Sequence, residues 1–307
     1  MSQAVKTNTD SLGSAIGPLH GTRYVIVTPA RDEEQNIEEL IRSLAAQTCL
    51  PTEWIVVNDG SKDKTAEILE KYATEYPWLH VYHLRDRGHR EPGGGVIRAF
   101  AYGLSHLQTK DWDFIVKLDG DLSFAPDYFD SCFEEFRKDP TLAVGGGTTW
   151  YEWAGSLRAD VVPNFHVRGA SKIYRRAFWD VMGGLPAVPG WDTIDELKAN
   201  MLGWTTRTFP NVRILHRRPT GSADGVWRNW FKNGRANYIT GYHPIFMMVK
   251  CAKRISEKPY VAGAFALFCG FASGYMRRLP QVADKELIRY VRREQVRRLL
   301  FRKSIWT

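Results

Sequence analysis

Short apolar runs alternate with amphipathic stretches through the first 120 residues, and this alternation constrains the fold more than any other feature of the chain. Residues 24–28 (YVIVT) read as a buried strand. Beyond them Ile37, Leu40, Ile41 and Leu44 fall at the i, i+3, i+4, i+7 spacing of one helix face. Residues 53–59 (EWIVVND) repeat the strand signal, and 62–75 read as a helix with Ile68, Leu69 and Tyr72 inward. A third strand over 80–84 and a third helix over 96–107 follow, then a strand over 113–118 running into Asp119-Gly120-Asp121. Such βαβ repetition predicts an α/β fold: a Rossmann-like, mostly parallel sheet flanked by helices.

In sheets of that kind, ligands bind outside the carboxyl ends of the strands. Three polar clusters stand where strands are predicted to end: Thr28-Pro29-Ala30-Arg31, Asn58-Asp59-Gly60-Ser61 and Asp119-Gly120-Asp121. In extended backbone, i and i+2 share a face, so Asp119 and Asp121 can address one cation. Carboxylates are hard donors for Mg²⁺ or Mn²⁺, ions that complete their shells with substrate phosphates. Asp59 can accept hydrogen bonds from a base or ribose; the alternative is a turn in which Ser61 caps the next helix. Glu33 stands at a helix start, where an acid is also favourable for purely structural reasons. The triple glycine 93–95 lacks dinucleotide-binding spacing and reads as a flexible approach to phosphates, with Arg98 facing the site or solvent.

The second half is less regular. Residues 145–147 (GGG) and 186–190 read as loops, 195–202 as a helix and 213–216 as a strand. Beyond Gly225 the chain turns helical and aromatic. Eighteen residues, 259–276, carry no charge, just short of the about 20 that a straight span needs. The net charge of +8 reflects the C-terminus, where ten Lys/Arg face three acids between 277 and 303. That tail seeks an anionic membrane surface. The tail also permits nucleic-acid binding, but no nucleic-acid partner is expected, because the arginines alternate with Leu, Ile, Tyr and Val at helical spacing and no recognition motif is present. With the apolar stretch 244–249, the pattern predicts a helix lying in the membrane plane; the competing reading has these helices bury one another or form an oligomer. Four scattered cysteines form no disulfide or zinc pattern, and the polar first twenty residues lack a signal-peptide core. The predicted division is a lead-in over 1–21, a catalytic domain over 22–225 and a helical extension over 226–307.

The segments VTPARDEEQNIEELIRSLAAQ (27–47), IVVNDGSKDKTAEIL (55–69) and FIVKLDGDLSFAPDYF (114–129) resemble family 2 of the inverting glycosyltransferases, of GT-A fold. The sequences GASKIYRRAFWDVMGGL (169–185) and GWDTIDELKANMLGW (190–204) extend the resemblance. It implies that Pro29, Ala30, Glu33 and Asp59 cradle the base and ribose, with Arg31 and Arg98 beside them on the donor. Asp119 and Asp121 match the family's DxD motif for ribose, metal and diphosphate, and His216 is a candidate second metal ligand. The family's catalytic carboxylate is the second acid of a Glu-Asp pair, eleven residues before a glycine. Counted from Gly203 this is Asp192, although Trp191 stands where Glu is usual and a second pair, Asp195-Glu196, follows. Asp192 and Asp195 are therefore both candidate bases; Asp192 as a helix N-cap is the structural alternative. Residues 217–225 have the composition of a loop that closes over donor. Trp191, Arg228 and Arg235 are candidates for the acceptor or a lipid phosphate.

The implied activity is metal-dependent, inverting transfer of a sugar from a nucleotide-sugar to a lipid-linked saccharide or polysaccharide precursor. It is expected at the cytoplasmic face of the cell membrane, peripherally or monotopically. A polyprenyl-phosphate acceptor, as in dolichol-phosphate-mannose synthases, is the nearest alternative. A sugar nucleotidylyltransferase would need a Gly-rich signature on the first strand, which is absent. A non-catalytic nucleotide-binding module is the third reading.

Overall fold

The computed structural model describes residues 21–88, 93–153, 155–218 and 225–306. All but the last residue of the predicted lead-in (1–21) and most of the predicted donor loop (219–224 of 217–225) lie outside them. The first half follows the sequence pattern closely. Strands β1 (Tyr24–Ala30), β2 (Glu53–Asp59), β3 (Leu79–Leu84) and β4 (Phe114–Leu118) are parallel, in the order β3-β2-β1-β4. Helices α1 (Ile37–Ala45), α2 (Thr65–Ala73) and α3 (Gly94–Ser105) connect them. Strand residues alternate between two cores. Tyr24, Ile26, Trp54 and Val56 pack with Ile37, Leu40, Ile41 and Leu44 of α1 on one face. Val25, Val27, Ile55 and Val57 meet Ala99 and Phe100 of α3 on the other. A Cβ on Gly103 would lie 2.6 Å from Val27 Cγ1, so only glycine lets α3 seat this close to the sheet.

Past β4 the sheet becomes mixed. The elements are β5 (Leu122–Phe124), α4 (Tyr128–Lys138), β6 (Leu142–Trp153), β7 (Ser156–Ala159), β8 (Ser171–Arg175), α5 (Arg176–Met182), α6 (Trp191–Met201) and β9 (Thr205–His216). The order continues β4-β8-β6-β9-β5, with β8 antiparallel to both neighbours, β9 parallel to β6, and β7 hung on β6. Residues 145–147 are not a loop but part of β6. Side chains are absent there because Phe209, the Ser171 carbonyl and Tyr128 occupy the space that a Cβ would need. The helix predicted over 195–202 begins four residues earlier, at Trp191, and the strand predicted over 213–216 is the end of the longer β9.

Four helices follow: α7 (Val226–Ile239), α8 (Pro244–Arg254), α9 (Tyr260–Met276) and α10 (Lys285–Leu299). They share a third core with α6, in which Ile194 and Leu197 pack with Tyr238, Ile239, Leu267, Leu287 and Val291. Asp284 caps α10 by accepting from the Glu286 and Leu287 amides (3.0 and 2.9 Å), and it pairs with Lys198 of α6. The uncharged stretch forms α9, whose glycines serve packing: a Cβ on Gly270 would clash with the Phe231 carbonyl, one on Gly274 with the Tyr238 ring. Its outer face remains apolar, with Val261, Phe265, Phe268 and Met276 exposed. Among the described residues no helix is long and apolar enough to cross a membrane.

Gly270→Ala should force α7 and α9 apart and destabilise the fold by about 1–3 kcal/mol. The exposed Ala262→Ser should stay within about 0.5 kcal/mol of the parent; urea denaturation midpoints compare the two.

Candidate active site

Strands β1, β2 and β4 end at one edge, and their terminal clusters meet there. The two loops leaving β1 and β2 are tied together: the Asp32 amide donates to Ser61 Oγ (3.0 Å), and the Lys62 amide to Asp32 Oδ1 (2.8 Å). Ser61 therefore does not cap α2, a role closer to that of Asp63, which accepts from the Thr65 amide at 3.0 Å. Arg31 reaches across, donating to the Asp59 carbonyl (3.0 Å) and to Asp86 Oδ1 (2.7 Å). The Asp59 carboxylate pairs with Arg87; burial raises its pKa, and Arg87, Arg31 and Arg98 work against that rise. Pro29 is half-buried, Ala30 is buried, and Arg98 is exposed on α3.

The Asp119-Gly120-Asp121 turn is held from below. Lys117, buried in β4, donates to the Asp119 carboxylate and to the Gly169 carbonyl (2.6 Å), and the Asp119 amide donates to the Ala170 carbonyl (2.8 Å). Antiparallel pairing of β5 with β9 sets Leu122 opposite His216 and so delivers the imidazole to Asp121. His216 Nε2 lies 3.2 Å from Asp121 Oδ2, and Arg218 Nε donates to the same oxygen at 2.9 Å. Burial opposes ionisation of Asp121, yet His216 and Arg218 hold its pKa below the ordinary value. Arg218 also pairs with Glu33, whose side chain lies against Gly120, where a Cβ would come 3.0 Å from Glu33 Cγ. Burial, reinforced by the charge of Asp121, raises the Glu33 pKa to about 7 despite Arg218.

The two candidate bases part company. Asp195 is buried and fully engaged: both oxygens accept from Lys172 Nζ at 2.9 Å, and Tyr174 donates to Oδ2 at 2.6 Å. Burial raises its pKa to about 6, with Lys172 pulling the other way. Glu196 accepts from Lys172 (2.7 Å) and the Val167 amide (2.6 Å) and lies 2.8 Å from His166 Nδ1. Asp192 sits within the first turn of α6 rather than capping it; the cap position is Gly190, left-handed at φ +86°. It is partly exposed and borders a cavity of about 880 Å³. A Cβ on Gly169 would lie 3.2 Å from Asp192 Cβ, so Asp192 stands beside the residue whose carbonyl binds Lys117, the partner of Asp119. Trp191 is buried, its ring 5.3 and 5.6 Å from the ammonium groups of Lys117 and Lys172. On α7, Arg228 is exposed and Arg235 lies 5.1 Å over the Phe231 ring; neither lines the cavity, whereas Trp230 does.

Lys117, Lys172 and Arg87 went unnoticed in the sequence, and Arg218 was included only as part of the predicted donor loop. A lysine inside an apolar run, as in FIVKL and ASKIY, is the signal that could have found the first two. Among the described residues no cluster of three or more His, Cys, Asp or Glu could hold an ion unaided. Asp121 and His216 supply two donors of types that Mn²⁺ accepts, so phosphate oxygens of a ligand would have to complete its shell.

The family model for glycosyl transferase family 2 matches residues 25–177. The chain is 32% identical over 118 residues to a chondroitin synthase of Pasteurella multocida, covering 38% of this chain and 11% of the synthase. It is 26% identical over 121 residues to a dolichol-phosphate mannosyltransferase of Pyrococcus furiosus, covering 39% of this chain and 32% of that one. The match thus spans less than half the length of either relative. A solved structure of the mannosyltransferase PcManGT from Pyrobaculum calidifontis, in complex with GDP-Man and Mn²⁺, shares the fold at a TM-score of 0.54. That likeness has 18% identity and covers 83% of this chain and 75% of the other. The fold is of the GT-A type.

Between pH 4.5 and about 7, folded Glu33 keeps a proton that the unfolded chain releases. Its contribution to stability therefore falls as pH rises through that window and levels off above it. Glu33→Gln should flatten this decline in denaturation midpoints measured across pH. Lys172→Met should cost about 3–5 kcal/mol, because it strands two buried carboxylates, and a denaturant titration at neutral pH measures it.

Proposed function

We propose that this chain, whose residues 25–177 belong to glycosyl transferase family 2, transfers a sugar with inversion from a nucleotide-sugar to a saccharide acceptor. The observation that carries the reading is the placement of Asp192. It stands beside Gly169, one hydrogen bond from Lys117 and so from the donor-side Asp119, while facing the cavity on its other flank. A donor over the strand ends and an acceptor in the cavity would then meet at this carboxylate.

Asp59, Arg31 and Ala30 form the base-and-ribose end, with Pro29, Glu33 and Arg98 around it. Asp119 lies nearer the diphosphate. Asp121 and His216 would hold Mg²⁺ or Mn²⁺, and the ion, when bound, neutralises charge gathering on the leaving diphosphate. Arg218, already beside Asp121, supplies a second positive charge on that side. Asp192 accepts the proton of the acceptor hydroxyl as that oxygen attacks the anomeric carbon from the face opposite the diphosphate. Asp195, consumed by Lys172 and Tyr174, acts by fixing α6 rather than by touching substrate.

Helices α8 and α9 expose apolar residues such as Ile245, Met248, Phe265 and Phe268, and Lys258, Arg277 and Arg278, just beyond the two ends of α9, are exposed as well. Exposed apolar side chains together with exposed cations suit peripheral docking on an anionic membrane, and hence a lipid-linked acceptor at the cytoplasmic face. Sedimentation with anionic against zwitterionic vesicles, at low and high salt, tests this docking; equal binding to both would exclude it.

A nucleotide-sugar panel, scored for binding and hydrolysis with and without Mn²⁺, tests the central claim. Turnover of at least one donor is expected, with a fall of about 10²–10⁴ in kcat for Asp192→Asn and donor Kd within threefold. Absence of donor binding and turnover across the panel would overturn it.

A further inference from the structure

The cavity beside Asp192 is built mainly by the C-terminal helices, and its chemistry is unlike that of the strand-end cluster. One wall is aromatic: Tyr242 and Phe246 pack against Trp306 at ring distances of 6.0 and 5.7 Å, and Phe165 meets the same indole at 5.7 Å. Asn233 and Asn237 of α7 add amides. Lys250, Lys253 and Arg298 add cations from α8 and α10. None of the three has a carboxylate within ion-pair distance among the described residues; Glu294, the nearest acid along α10, pairs with Arg293 and Arg297. Arg168, another lining residue, spends one terminal nitrogen on Asp160 (2.6 Å) and leaves its buried Nε without a partner. Asp192 is the one acid lining the cavity among the described residues.

Resting on the transferase reading above, we propose that this cavity binds the acceptor as an acidic saccharide, one that bears a carboxylate or phosphate near the sugar presented to Asp192. Aromatic faces and amides suit a pyranose, which offers apolar C–H faces and a rim of hydroxyls. The cations suit a charge that a neutral sugar lacks. Lys250 makes the argument sharper. Its ammonium lies 5.3 Å from the Tyr242 ring, and burial lowers its pKa to about 8 with no carboxylate to offset it. An anion on the ligand supplies that missing partner, and charge-assisted hydrogen bonds of this kind are among the stronger ones. Phe246, Val249 and Leu267 add apolar lining from α8 and α9, so an isoprenyl phosphate is the competing probe.

The test is calorimetric binding to the full chain loaded with a donor analogue and Mn²⁺. The probes are a glucuronate-containing oligosaccharide, its carboxyl-reduced form, a phosphorylated glucose oligosaccharide and a short isoprenyl phosphate. At least one acidic oligosaccharide should bind about tenfold or more tighter than the carboxyl-reduced one, and the preference should shrink in high salt. Whichever acidic probe binds identifies carboxylate or phosphate as the recognised group. Lys253→Gln and Arg298→Gln, both at exposed positions where folding is not at stake, should each weaken it by about tenfold. Equal affinity for acidic and neutral sugars, or isoprenyl phosphate binding as tightly as the sugars, would overturn the proposal. Donor binding is read in the same experiment, so a chain that binds donor without acid preference refutes this inference alone. A chain that binds no donor refutes the transferase reading beneath it.

Discussion

The buried ammonium of Lys172 fixes the relation between the sheet and α6 on which the rest of the site depends. It lies on β8, in the middle of the sheet, and gathers Asp195, Glu196 and the main-chain carbonyl of Asp192 around one charge. Two carboxylates and one ammonium in an apolar setting are tolerable only while all their hydrogen bonds are made, and here Tyr174, His166 and the Val167 amide complete the set. The helix start is thereby locked in register with the sheet edge. Asp192, three residues before Asp195 and on the same side of the helix, stays partly exposed at the cavity. The same ammonium and that of Lys117 both lie near the Trp191 ring, at 5.6 and 5.3 Å.

A second constraint comes from the C-terminal helices. They contribute most of the cavity lining and share a core with α6, so the cavity exists only once they are docked. Gly190 shows how close that docking is. Its left-handed backbone caps the start of α6, and a Cβ there would lie 3.2 Å from Ala236 of α7 and from Thr240 just beyond that helix. The glycines of α9 play the same part between α7 and α9. What reads in sequence as a diluted membrane helix is, on its inner face, a packing surface, while its outer face keeps the apolar character.

The β1 to β4 half of the fold was legible because each of its elements declares itself locally. A fully buried parallel strand reads as an apolar run, and α1 shows its buried face in four residues at helical spacing. The glycine triplet of β6 misled because glycine is common in loops; its cause lies in Phe209, Ser171 and Tyr128, far away in sequence. The start of α6 was misplaced because its N-terminal cap is a left-handed glycine rather than a polar side chain. The cations beneath the site escaped notice for a related reason. A buried lysine is intelligible only beside its partners, and Asp195 is 23 residues from Lys172.

The sequence by itself determined that Asp119, Asp121, Asp59 and Arg31 would share one sheet edge, because strand direction and parallel order follow from hydrophobic periodicity. Only the tertiary structure decided what each group is free to do. It set His216 and Arg218 on Asp121, drew Asp195 into the Lys172 network, and left Asp192 at the cavity. The physical reason is that periodicity places a residue on a face, whereas burial and ion pairing depend on elements brought together from distant parts of the chain.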